Sequence, residues 1–165
     1  MKIIRNTSFG VFKTPLRNIQ MKFDGYAATF DLVPGLVVSN NNFDPNLKNS
    51  ALQNMFKNAN EIIESSDYLK VEFDTVLGLA LDADIDVDLY GGLHQGWEAA
   101  PKFKNSNAIY PFLEIVDSPW KKQLPDHRGR DNPEIKHYRL ISSGGGFDIL
   151  AWEPTGKWVI ASPSK

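Results

Sequence analysis

Alternation of apolar and polar residues with a period of two recurs along this chain. A chain patterned in that way must bury one face of several strands. Ile19, Met21 and Phe23 alternate with Gln20 and Lys22, and Leu69, Val71 and Phe73 alternate with Lys70, Glu72 and Asp74. The run Ala83-Asp84-Ile85-Asp86-Val87-Asp88-Leu89-Tyr90 alternates before Gly91-Gly92. Asp24-Gly25 separates the first run from Tyr26 to Val33 and predicts a two-residue hairpin turn, in which both positions need positive φ. Pro34-Gly35 interrupts the returning strand, and Leu36-Val37-Val38 resumes it. Ile109 to Val116 reads as a further strand. Residues 117–133 read as a polar, proline-bearing loop. Ile135 to Ile141 and Phe147 to Trp152 read as a hairpin across Ser142 to Gly146, and Trp158 to Ile160 as a last short strand.

One segment breaks the pattern. Asp44 precedes Pro45, an N-cap followed by the residue best tolerated at the first helical position. Leu47, Ala51, Met55, Ala59 and Ile62 then recur at helical spacing, with Leu52, Phe56 and Ile63 widening the stripe. This predicts a helix at about residues 45–65. The fold class expected is therefore α+β: a mostly antiparallel β-sheet with one main helix packed on it. A chain of 165 residues suits a single domain, 1–165.

Composition narrows the function. The absence of cysteine removes disulfides, thiolate metal sites and cysteine nucleophiles. No run approaches the roughly 18 apolar residues of a membrane span, and the N-terminus lacks the apolar core of a secretory signal. A cytoplasmic location is expected, with no membrane partner. The net charge of −2 conceals a division: residues 71–101 hold seven acids and no lysine or arginine. On an extended strand Asp82, Asp84, Asp86 and Asp88 would share one face at intervals of about 6.6 Å. Such a row is a solvated face, a docking surface for a basic partner, or a cation site. The calcium-loop pattern needs Gly at its sixth position and Glu at its twelfth. Counting from Asp82 gives Val87 and Leu93, and counting from Asp84 gives Leu89 and Gln95, so that pattern fails. Magnesium held by two of the aspartates stays open, but no cofactor is expected.

Other chemistry is sparse. His94, His127 and His137 form no tight ligand pair. His94 sits beside the acidic run, and His137 lies within a strand pattern, where a structural role is the simpler reading. Neither GxSxG nor SxxK occurs. Gly144-Gly145-Gly146 lacks the Lys-Ser/Thr of a phosphate loop and reads as a turn. Arg128 and Arg130 stand among acids in a loop too small for nucleic-acid binding. Partial burial in the core is the default for the tryptophans, but Trp97 and Trp120 fall in loop-like stretches, where an interface anchor is the alternative.

Phe112-Leu113-Glu114-Ile115-Val116-Asp117-Ser118-Pro119-Trp120, followed by Lys136-His137-Tyr138-Arg139-Leu140-Ile141 and Phe147-Asp148-Ile149-Leu150-Ala151, carries a resemblance. This order resembles small immunity proteins of bacterial polymorphic toxin systems, including contact-dependent growth inhibition. The resemblance implies a single-domain cytoplasmic protein, not an enzyme, that neutralises one toxin by covering its active site. A nuclease with a basic cleft is the target expected, met by Asp82, Asp84, Asp86, Asp88, Trp97 and Trp120. The alternatives are a metal-dependent enzyme built on the four aspartates, and an interaction module without inhibitory action.

Overall fold

The computed structural model describes residues 2–5, 12, 14–39, 60–64, 66–82, 101–103 and 109–161. Ten strands occur among them: β1 (Lys2–Arg5), β2 (Leu16–Phe23), β3 (Ala28–Ser39), β4 (Asn60–Glu64), β5 (Tyr68–Phe73), β6 (Val76–Asp82), β7 (Phe112–Val116), β8 (Lys136–Ser142), β9 (Gly145–Ala151) and β10 (Thr155–Val159). One run of antiparallel neighbours goes β1, β7, β8, β9, β6. A second goes β2, β3, β5, β10. A single parallel pairing, Leu16 with Ser142, joins the two.

The core lies between these two runs. Phe30 of β3 meets Phe147 of β9 with ring centroids 5.3 Å apart, and Phe73 of β5 meets Tyr138 of β8 at 5.4 Å. These strands are not hydrogen-bonded neighbours, so their side chains pack face to face. Leu16, Leu32, Leu69, Val71, Phe112, Leu140 and Ile149 fill the same layer. The alternation of β5 is reproduced: Leu69, Val71 and Phe73 are buried while Glu72 is exposed.

The expected main helix does not organise this fold. Among the described residues the longest helix is α1 (Pro119–Lys122), and the architecture is mostly β. The last part of the segment expected to be helical, Asn60–Glu64, is strand β4, antiparallel to Gly35–Ser39 of β3. Residues 45–59 lie outside the described residues. The physical reason is visible in β3. It continues past Pro34, and its outer half needs a ladder partner for its backbone groups. Ile62 and Ile63 are β-branched and suit a strand as well as they suit a helical stripe.

Other boundaries move less. The strand entering the acidic run is Val76–Asp82, and residues 83–90 lie outside the described residues. The hairpin after β2 is a four-residue loop, Asp24–Ala27, in which only Gly25 has positive φ, +94°. Asp24 acts through its side chain instead: Oδ1 accepts from the backbone N–H of Tyr26 at 2.8 Å and of Ala27 at 2.7 Å. Those bonds hold its carboxyl below the usual aspartate range. No helix among the described residues is long and apolar enough to cross a membrane.

Candidate functional site

The most developed polar constellation sits on the face of β8 and β9 turned away from the aromatic core. Side chains alternate along a strand, so His137 and Arg139 project together from β8. The hairpin register puts Asp148 of β9 directly opposite Arg139. Arg139 Nη1 donates to Asp148 Oδ2 at 2.6 Å, and His137 Nε2 lies 2.8 Å from Asp148 Oδ1. On its other side His137 Nδ1 lies 2.7 Å from Ser118 Oγ. With Asp148 ionised and the imidazole neutral, Nε2 carries the ring proton and Nδ1 accepts from the Ser118 hydroxyl. Relative exposures are 0% for Asp148, 1% for His137 and Arg139, and 4% for Ser118.

Ser118 reaches this position because β7 ends in a sharp turn. Asp117 takes φ +58°, the only positive φ of a non-glycine residue among those described. Aspartate is among the side chains that tolerate that region. Ser118 then caps α1, its Oγ accepting from Lys121 N–H at 3.1 Å, and Pro119 opens the helix without an N–H to satisfy. Trp120 packs edge-on to His137 at 5.3 Å, and its indole lies over Gly78 of β6. A Cβ at Gly78 would come within 2.7 Å of that ring. Trp120 is thus half-buried on the fold.

Ser118 and His137 line one wall of a cleft of about 590 Å³. Lys121, Lys122, Arg130 and Lys136 also line it, together with Glu114, Asp117 and Asp131. Several of these charges are already engaged. Lys121 Nζ donates to the Asn132 carbonyl at 2.6 Å, Lys136 pairs with Glu114 at 3.7 Å, and Arg130 pairs with Asp126 and Asp131. On the core side of β8 the Tyr138 hydroxyl is buried and has no hydrogen-bond partner among the described residues. Burial first, then the charges of Glu114 and Glu153, pushes its pKa well above the ordinary tyrosine range.

Of the residues singled out by sequence, Asp82 is the last residue of β6, in register with Gly146. Asp84, Asp86, Asp88, His94 and Trp97 lie outside the described residues. His127 is exposed in a 3-10 turn, Asp126–Arg128. No group of three or more His, Asp or Glu placed to hold a metal ion occurs among the described residues. The linked set Ser118, His137, Asp148 and Arg139 was not anticipated. Its one legible signal was the pair of opposite charges, Arg139 and Asp148, flanking a Gly-rich turn. Compared with protein-family models, with curated proteins and with solved structures, the chain finds no match in any of the three.

Proposed function

We propose that this chain is an immunity-type inhibitor acting in the cytoplasm. It binds a cognate bacterial toxin domain, a nuclease, and occludes the toxin's active site through its acidic surface. The observation that carries this reading is the charge of the run 71–101, which holds seven acids and no lysine or arginine. Glu72 and Asp74 are exposed. β6 follows, paired only with β9 among the described residues, and it ends at Asp82. The sequence continues from Asp82 with Asp84, Asp86 and Asp88, which lie outside the described residues. The residues of the resemblance also form one structural unit. β7, α1, β8 and β9 are consecutive, and Ser118, Trp120 and His137 touch.

Charged groups in such an interface steer encounter, and truncating a buried, paired one costs about 2–5 kcal/mol of binding. A pull-down with mass spectrometry identifies the partner, and titration calorimetry at low and high salt then compares wild type with the double variant Asp84→Asn, Asp86→Asn. The variant should stay folded, bind more weakly and lose most of its salt dependence. Equal binding by both forms at both salts would remove the acidic run from the interface.

A further inference from the structure

The cleft beside α1 lies at the other end of β8 from Asp82. Asp82 is opposite Gly146, Gly146 is opposite Ile141, and Ile141 is four residues, about 13 Å, from His137. A capping serine needs only to accept from a backbone N–H. Ser118 does more: its Oγ lies 2.7 Å from an imidazole nitrogen, and the opposite ring nitrogen lies 2.8 Å from a buried carboxylate oxygen. That carboxylate is in turn fixed by Arg139. The connectivity is nucleophile, base, orienting acid, with Nδ1 rather than Nε2 facing the serine. The left-handed backbone of Asp117 presents Ser118 in the cleft wall.

We propose that Ser118 is a base-activated nucleophile and that the cleft takes a small carboxylic ester. The Ser118 Oγ attacks the ester carbonyl while its proton passes to His137 Nδ1. The Oγ–C bond forms, the ester C–O bond breaks, and the departing alkoxide oxygen takes that proton from Nδ1. Water then attacks the acyl-serine, giving its proton to the same nitrogen. The Oγ–C bond breaks, the proton returns to Oγ, and a carboxylic acid leaves. Asp148 holds the ring tautomer, and Arg139 acts through Asp148 as a positioning residue. Lys122, exposed on α1 and lining the cleft, offers positive charge to the carbonyl oxygen. This activity is separate from partner docking and does not rest on it.

The test exposes the full-length wild-type protein to an alkyl fluorophosphonate, which forms an Oγ–P bond with loss of fluoride, followed by intact-mass measurement and peptide mapping. One adduct, on Ser118, is expected, together with hydrolysis of p-nitrophenyl acetate that the adduct abolishes. His137→Gln should slow adduct formation at least tenfold. His127→Gln, at an exposed histidine of the 3-10 turn that does not line the cleft, should react at the wild-type rate. Absence of a Ser118 adduct on folded wild-type protein after prolonged exposure would overturn the proposal. So would labelling of His137→Gln as fast as wild type. If His137→Gln does not fold, the wild-type labelling result decides alone.

Discussion

At the scale of single residues, the most consequential interaction is the ion pair between Arg139 and Asp148. Both are buried, and removing one partner takes away the 2.6 Å charge-assisted bond between them. Asp148→Ala should therefore cost about 3–5 kcal/mol in denaturant unfolding. Tyr138 behaves in the opposite way. Its hydroxyl is buried without a hydrogen bond among the described residues, so Tyr138→Phe should leave stability at neutral pH unchanged or slightly higher. The two proteins should separate in alkali. The folded pKa of Tyr138 is raised, so its contribution is fully present below about pH 10, where an unfolded tyrosine begins to ionise. Above that pH the unfolded state loses a proton that the folded state keeps, and wild type should lose stability faster than Tyr138→Phe. Thermal melts from pH 8 to 11 check this. Asp24 has the reverse sign. Its carboxyl is held low by two turn bonds, so its contribution exists above about pH 4 and disappears as pH falls through the folded value. Asp24→Ala should melt lower than wild type at pH 7, and the gap should close in acid.

At the scale of elements, close approach decides what a glycine position can hold. Gly78→Ala would drive a methyl into the Trp120 ring, and the ring can move only by disturbing its packing on His137. The expected cost is about 1–3 kcal/mol, read from a shifted denaturation midpoint. Gly146 is more constrained, because a Cβ there would lie 2.6 Å from the Leu140 carbonyl oxygen, which is backbone and cannot rotate aside. The hairpin carrying these residues also shows how register outranks composition. Placing the turn across all of Ser142 to Gly146 would pair Ile141 with Phe147. The observed turn is tighter: Ser142 pairs with Gly145, which has φ +123°, and the Ser142 hydroxyl donates to the Gly145 carbonyl. That one-residue difference sets Arg139 opposite Asp148 and turns Phe147 and Ile149 to the core. Similarly, β4 fills the ladder of β3 with residues whose apolar spacing also fits a helix. Amide exchange should show Asn60–Glu64 protected in the alternating pattern of a strand.

At the scale of the whole molecule, Asp82 and the mixed-charge cleft stand at opposite ends of β8 and β9. Asp82 is in register with Gly146, and the cleft opens at His137 and Ser118. On the docking reading Asp84 and Asp86 serve binding and not folding, so Asp84→Asn with Asp86→Asn should shift unfolding free energy by no more than about 0.5 kcal/mol. Millimolar magnesium should leave the melting temperature unchanged. A rise of several degrees that Asp86→Ala abolished would favour the metal-dependent enzyme instead.

What the linear chain determines by itself is local. The period of two specifies which residues of β5 are buried, because successive side chains point to opposite faces whatever the neighbour. The turn at Gly25 and the cap at Ser118 depend on backbone conformations and bonds spanning a few residues. The charge imbalance of residues 71–101 is a property of composition alone. The tertiary structure decides everything that requires a partner. Short apolar runs such as Ile62-Ile63 satisfy either period, and β3 chooses between them by offering a ladder. The approach of Ser118 to His137 spans 19 residues and two elements, and it follows from α1 folding back over β8, which no spacing in the sequence encodes.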